Sequence, residues 1–331
     1  MGLNQTYFQA RGNNMEESAP QQGNQLHQNA SNKAVMTEQS QVRGYIEKAI
    51  SPNTRKAYRA DLAHFQQHGG SIPSSSEEIA VYLTAFAGVS SIATLTRRIA
   101  SISVAHSSQG FTSPTKSDLV RLTLKGIRRA HGKPQRQVLP LSKEDMIAIV
   151  TTAPDTLTGV RDVALLLTAF CGALRSAETV ALQVRDIEFN DQGAIILIRR
   201  SKTDAGGHGT RIGIPFAKGR VCCVAALKAW IEKAGLNGGP LFRTVEHGQA
   251  GANGLCTKTV ANIVKRHVRR IGLDPALYSS HSSRAGLCTA AAQAGIPVWK
   301  IKTQSRHASD GMLMRYVRDG DLFRDNAAAI F

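Results

Sequence analysis

Residues 305–318 read SRHASDGMLMRYVR, and everything else in the chain takes its meaning from them. Ser309 or Asp310 is placed to cap a short helix, and His307 and Tyr316 stand on either side of that cap, nine positions apart. A tyrosine on a short helix is in most proteins a core or rim aromatic, so the stretch needs company. Upstream lie HSSRAG at 281–286, RRSKTD at 199–204 and LRSAE at 174–178. Arg175 and Glu178, like His281 and Arg284, are three apart, a spacing that lets helical residues share a face. Lys202 falls in a turn followed by Asp204, Gly206, Gly207 and Gly209. Taken singly, these are a surface ion pair, a solvated helix start and a solvated lysine.

Between these signals the pattern is mostly helical. Ser142 with Asp145 makes a capping box, and Val160 to Leu174 is an apolar helical run. A three-stranded antiparallel unit is expected from Asp186–Asn190, Ala194–Arg200 and Arg211–Phe216, and the remainder reads as helix, with Pro297 at a helix start. Further upstream, HGKPQRQ at 131–137 is polar, basic and broken by Gly132 and Pro134, as an exposed linker would be. Before it lies an all-helical region. Ser51 and Pro52 open a helix that Gly69-Gly70 stops, and Ile92 to His106 is a third helical stretch. Ser74 with Glu77, and Thr115 with Asp118, read as capping boxes of two more. The expected division is a disordered arm over 1–40, a helical domain over 41–131, a linker over 132–140 and a second domain over 141–331.

Lys and Arg number 41 against 24 Asp and Glu, a formal charge of +17, which suits a polyanionic partner. The arm holds about as many acids as bases, so the surplus belongs to the folded part. No stretch approaches the roughly 18 apolar residues of a membrane span, and the Asn/Gln-rich start lacks the apolar core of an export signal. The five cysteines, Cys171, Cys222, Cys223, Cys256 and Cys288, show no CxxC spacing and fit a reducing compartment. There is no P-loop to support nucleotide-driven chemistry.

The ordered series Arg175, Glu178, Lys202, His281-x-x-Arg284, His307, Tyr316 resembles the signature of tyrosine site-specific recombinases of the phage integrase family. The stretch SPNTRKAYRADLAHF at 51–65 resembles the core-binding domain of their Cre-like branch. The likeness runs from about Ser51 to the C-terminus. It implies a mainly α fold: an N-terminal SAM-like helical bundle, then a mixed α/β catalytic domain with a small three-stranded antiparallel sheet. It implies Tyr316 as the nucleophile of a 3′-phosphotyrosyl intermediate, Arg175 and Arg284 on the scissile phosphate, and His307 donating to it. His281 assists proton transfer, Lys202 protonates the leaving 5′ oxygen, and Glu178 supports the basic groups. No metal, ATP or other cofactor is implied. The chemistry asks for these residue types, since guanidinium alone joins permanent charge to bidentate geometry.

The same resemblance implies a clamp around double-stranded DNA, a homotetramer assembled on two sites, and a cytoplasmic, nucleoid-associated location with no membrane. Candidate DNA contacts are Arg55, Lys56, Arg59, Arg97 and Arg98 in the first domain and Lys265, Arg266, Arg269 and Arg270 in the second. The amphipathic end, Asp321 to Phe331, fits a tail that packs on a neighbouring protomer. Many family members carry Gly before the last histidine, where this chain has Arg306. Two rival readings remain: an enzyme like the type IB topoisomerases, which relaxes supercoils, and an idle DNA-binding accessory protein, for which Tyr316 would be dispensable.

Overall fold

The computed structural model describes residues 49–134, 137–201, 209–217, 219, 221–311, 313, 314 and 316. The expected arm, Lys202 and the tail from Asp321 lie outside them. The chain divides at residue 135/136 into two compact units.

In the first unit, α1 (Pro52–Gln67) begins as its sequence dictates, with the Ser51 hydroxyl accepting from the Thr54 N–H and Pro52 at the first position. It packs on α3 (Ile92–Ser108), while α2 (Ser76–Ala85) packs on α4 (Asp118–His131). Two expected caps are displaced. The α2 capping box is Ser75 with Glu78, one residue later than Ser74 with Glu77. Helix α4 is capped by Ser117, because Pro114–Lys116 forms a 3-10 turn that takes Thr115 into the interior. Phe65, Ile79, Leu83, Leu95 and Ile102 fill the core; each is a side chain whose burial contributes about 1.5–3 kcal/mol.

The second unit is built around α6 (Leu157–Cys171), buried on nearly every face of its VALLLTAF run. A helix apolar all round must be enclosed, and it is, by α5 (Lys143–Thr152), α8 (Cys223–Lys233) and α10 (Ser282–Gln293). The short α7 (Ser176–Ala181) leads into a sheet of order β1-β2-β3, from β1 (Ile187–Phe189), β2 (Gly193–Ile198) and β3 (Thr210–Pro215). Both pairings are antiparallel, with Ile196 opposite Ile187 on one side and Ile212 on the other. A second hairpin, β4 (Arg243–Glu246) with β5 (Gln249–Gly254), stands where only helix was expected. Helices α9 (Thr257–Arg270) and α11 (Val298–Ser305) complete the unit. Trp230 is fully buried and its indole N–H donates to the Leu241 carbonyl at 2.8 Å. Among the described residues no helix is long and apolar enough to cross a membrane.

Candidate active site

The site is assembled from three turns of the second unit. Helix α6 ends at Gly172 and the chain swings through Ala173, whose φ of 45° is left-handed, before Leu174 anchors it in the core. That swing presents Arg175 at the N-cap of α7, outside the helix. Glu178 lies at the third helical position and answers it twice: Oε2 accepts from the Arg175 N–H at 3.0 Å and Oε1 from Nη1 at 2.7 Å.

Arg284 is delivered by α10. A Cβ on Gly286 would fall 2.0 Å from the Leu141 carbonyl, so only glycine lets the helix come this close to the chain ahead of α5. Arg284 is thereby 1% exposed. Its Nη1 donates to the Ala173 carbonyl, and its buried Nη2 has no hydrogen-bond partner among the described residues. Burial first, then the charges of Arg175 and Arg306, push the guanidinium down to a pKa of about 10.

The third turn follows α11. Arg306 takes φ 56°, ψ 43° at the helix C-cap, a left-handed conformation that costs a non-glycine residue about 1–2 kcal/mol. Its side chain, 7% exposed, turns inward. Nη1 donates to the carbonyls of Gly172 at 3.1 Å and Gln304 at 2.6 Å, and Nη2 to the Ala173 carbonyl at 3.2 Å and Glu178 Oε2 at 2.9 Å. Sequence reasoning did not place Arg306 in the site; its one signal was the absence of the glycine that this backbone favours. Burial pushes the Glu178 carboxyl up, but the Arg175 N–H and the Arg306 and Arg175 charges outweigh it and hold the group below the ordinary carboxylate range.

His307 follows, buried, with Nδ1 2.7 Å from the Ser305 hydroxyl. Burial, then Arg284 and Arg175, bring its pKa down to about 4, so it is neutral at pH 7. His281 caps α10, and its Nε2 lies 3.1 Å from the Tyr316 hydroxyl. One edge of that imidazole is exposed, yet burial of the rest, with Arg284 and Arg175 nearby, lowers its pKa as well. The Tyr316 ring is half-buried against the cluster of Cys288, Ala292, Ile301 and Leu313, 5.8 Å from the His307 ring.

Arg175, Glu178, His281, Arg284, His307 and Tyr316 are therefore one cluster, and Lys202 lies outside the described residues. Three guanidinium groups face one carboxylate between two neutral imidazoles. A surplus of buried positive charge beside a tyrosine hydroxyl is a place where an oxyanion would be stabilised. No group of three His, Cys, Asp or Glu side chains among the described residues is disposed to hold a metal ion.

The candidate DNA contacts divide by exposure. Lys56, Arg59, Lys265, Arg269 and Arg270 are exposed, and Arg55 is partly so. Arg97 makes a bidentate pair with Asp61 at 2.7 and 3.0 Å. Arg98 corrects the sequence reading: it is 8% exposed and lies over the Phe86 ring at 5.1 Å, inside the first unit. Arg266 is committed to the buried Asp162.

The model of the phage integrase family matches residues 140–321. An integrase/recombinase described as a XerD homologue, from Selenomonas ruminantium, is 39% identical over 293 residues, 85% of this chain and 86% of that protein. The recombinase Cre of Escherichia phage P1 is 24% identical over 270 residues, 75% of this chain and 77% of that one. Among solved structures, the XerH site-specific recombinase bound to its palindromic difH substrate, a post-cleavage complex, superposes with a TM-score of 0.61. The identity there is 19%, covering 83% of this chain and 79% of that one.

Proposed function

The chain belongs to the phage integrase family and is a site-specific tyrosine recombinase, which breaks and rejoins DNA strands, and we propose that Tyr316 is its nucleophile. The observation that carries this is the Tyr316 hydroxyl at 3.1 Å from a neutral His281, beside a buried excess of guanidinium. His281 takes the phenolic proton as Tyr316 attacks phosphorus. A tyrosyl O–P bond forms as the P–O5′ bond breaks, leaving a 3′-phosphotyrosyl intermediate with the number of phosphoester bonds unchanged. Rejoining therefore needs no external energy source.

Arg175 and Arg284 hold the non-bridging oxygens, the buried Nη2 of Arg284 being a donor that a phosphate oxygen satisfies. His307 Nδ1 is engaged with the Ser305 hydroxyl, and in the tautomer with its hydrogen on Nε2 that nitrogen donates to the same phosphate. Lys202 serves as acid to the leaving 5′ oxygen. Residues 41–131 act as the core-binding domain, 132–140 as linker and 141–331 as the catalytic domain. Lys56, Arg59, Lys265, Arg269 and Arg270 supply phosphate contacts, whose released counterions give affinity. Exchange between two sites cuts four strands and so calls for four protomers, with Asp321–Phe331 packing on a neighbour, in the cytoplasm at the nucleoid.

The test is to isolate DNA that stays attached to the protein through SDS, from cells expressing wild type or Tyr316→Phe, and to sequence its ends. Adducts at a few shared positions in wild type alone are expected. Equal results from both proteins would remove Tyr316 from the mechanism.

A further inference from the structure

Arg306 occupies a backbone conformation in which glycine is at ease, and yet its side chain is among the most connected in the second unit. Four hydrogen bonds run from one guanidinium to Gly172, Ala173, Glu178 and Gln304. Gly172, Ala173 and Glu178 belong to the turn that presents Arg175, while Arg306 itself precedes His307 in the chain. The Arg306 carbonyl also accepts from Arg175 Nη2 at 3.4 Å, so the link is made from both sides.

We infer that Arg306 is a positioning residue of the phosphate clamp, a covalently anchored strut that fixes the Arg175 turn against the His307 turn. The inference rests on the reading of Tyr316 as the nucleophile. Without Arg306, the turns that carry Arg175 and His307 keep only the 3.4 Å bond from Arg175 Nη2 to the residue 306 carbonyl and, one step back along each chain, the 2.9 Å bond from Gln304 Nε2 to the Cys171 carbonyl. Two phosphate donors held more loosely lose much of their advantage in the transition state. Glu178 would also have Arg175 as its sole hydrogen-bonded cation. The pair would then tighten, and Arg175 would be drawn away from the phosphate. Arg306 shares the carboxylate and leaves Arg175 partly uncommitted. It does not touch the substrate. A lysine cannot replace it, since one ammonium cannot reach carbonyls and carboxylate through a planar fork.

Arg306→Gly and Arg306→Asn both accept the left-handed backbone, so neither strains the turn. Single-turnover cleavage would be followed on a duplex carrying the sequence recovered from wild-type adducts, alongside Arg306→Lys. The expected result is a rate lower by about tenfold or more in all three variants, with the melting midpoint kept and DNA affinity within about threefold. Millimolar methylguanidinium should restore part of the rate to Arg306→Gly alone. Wild-type rates in Arg306→Gly would overturn the inference, as would a full rate in Arg306→Lys. A second measurement needs no cleavage: inorganic phosphate should raise the melting midpoint of the wild type, and raise it less in Arg306→Gly. If wild type itself forms no adduct, the nucleophile reading has failed and this shift alone decides the strut; equal shifts would sink it.

Discussion

Asp162 and Glu178 are both buried carboxylates of the second unit that gather arginines, and what surrounds them differs in one respect. Around Asp162 both carboxylate oxygens are paired, and the charge of the outermost cation reaches solvent. Arg161 donates to Oδ1 at 3.1 and 2.7 Å, His267 approaches Oδ2 at 3.0 Å, and Arg266 pairs with the same oxygen. Arg266 keeps 48% of its side chain exposed, so its charge is largely solvated. Around Glu178, Arg284 and Arg306 are buried and Arg175 is only 22% exposed, and Arg284 retains a buried donor with no hydrogen-bond partner among the described residues. The same residue types thus make a brace in one place and a receptor in the other. Uncompensated buried charge is what separates them.

The largest test of that contrast is Arg284→Met, which keeps volume and removes charge. The cleavage rate should fall by about 10³-fold, while the melting midpoint should not fall, because the lost cation had no full partner. A large drop in stability would put Glu178 in the same class as Asp162. Next comes Asp162→Asn, which leaves Arg161 and Arg266 facing a neutral amide. A loss of about 3 kcal/mol in urea unfolding is expected, with near-normal cleavage by the protein that remains folded. A cleavage defect without a stability defect would break the comparison. The smallest effect is in pH. In the proposed mechanism the neutral form of His281 accepts the proton, and its pKa lies below the ordinary 6.5. The rate should therefore hold as pH falls to 6.5 and then decline by about tenfold per unit below the lowered value. A decline that begins above 6.5 would mean that burial and the neighbouring arginines do not lower His281, or that another group takes the proton.

Much of this was legible in the chain, for reasons that particular residues make plain. Ser142 with Asp145 and Ser51 with Pro52 are unambiguous helix starts and are observed as such. In SSSEE at 74–78 any serine can cap and either glutamate can answer, so local chemistry fixes α2 only to within a residue. The β4–β5 hairpin was hidden because its second strand reads QAGANG, with no β-branched residue. Its legible signal was the His247-Gly248 turn, where both φ are positive, at 50° and 78°. The site residues were readable as an order of types. Arg306 was not, because residue-by-residue rules treat its position as a place for glycine and say nothing of where a long side chain goes afterwards. Arg98 was misread for the converse reason: a basic residue on an amphipathic helix looks solvated until the aromatic rings of Tyr82 and Phe86 are known to lie beside it.

The carbonyl of Ala173 serves Arg284 and Arg306 together, at a corner where φ is 45° and the Cα is fully buried. Two side chains, 111 and 133 residues away in the chain, thus take their bearings from a single oxygen. In the language of engineering it is a shared datum, and an error there propagates to both parts at once. Anyone who diversifies this enzyme to redirect it toward new DNA should leave position 173 as alanine.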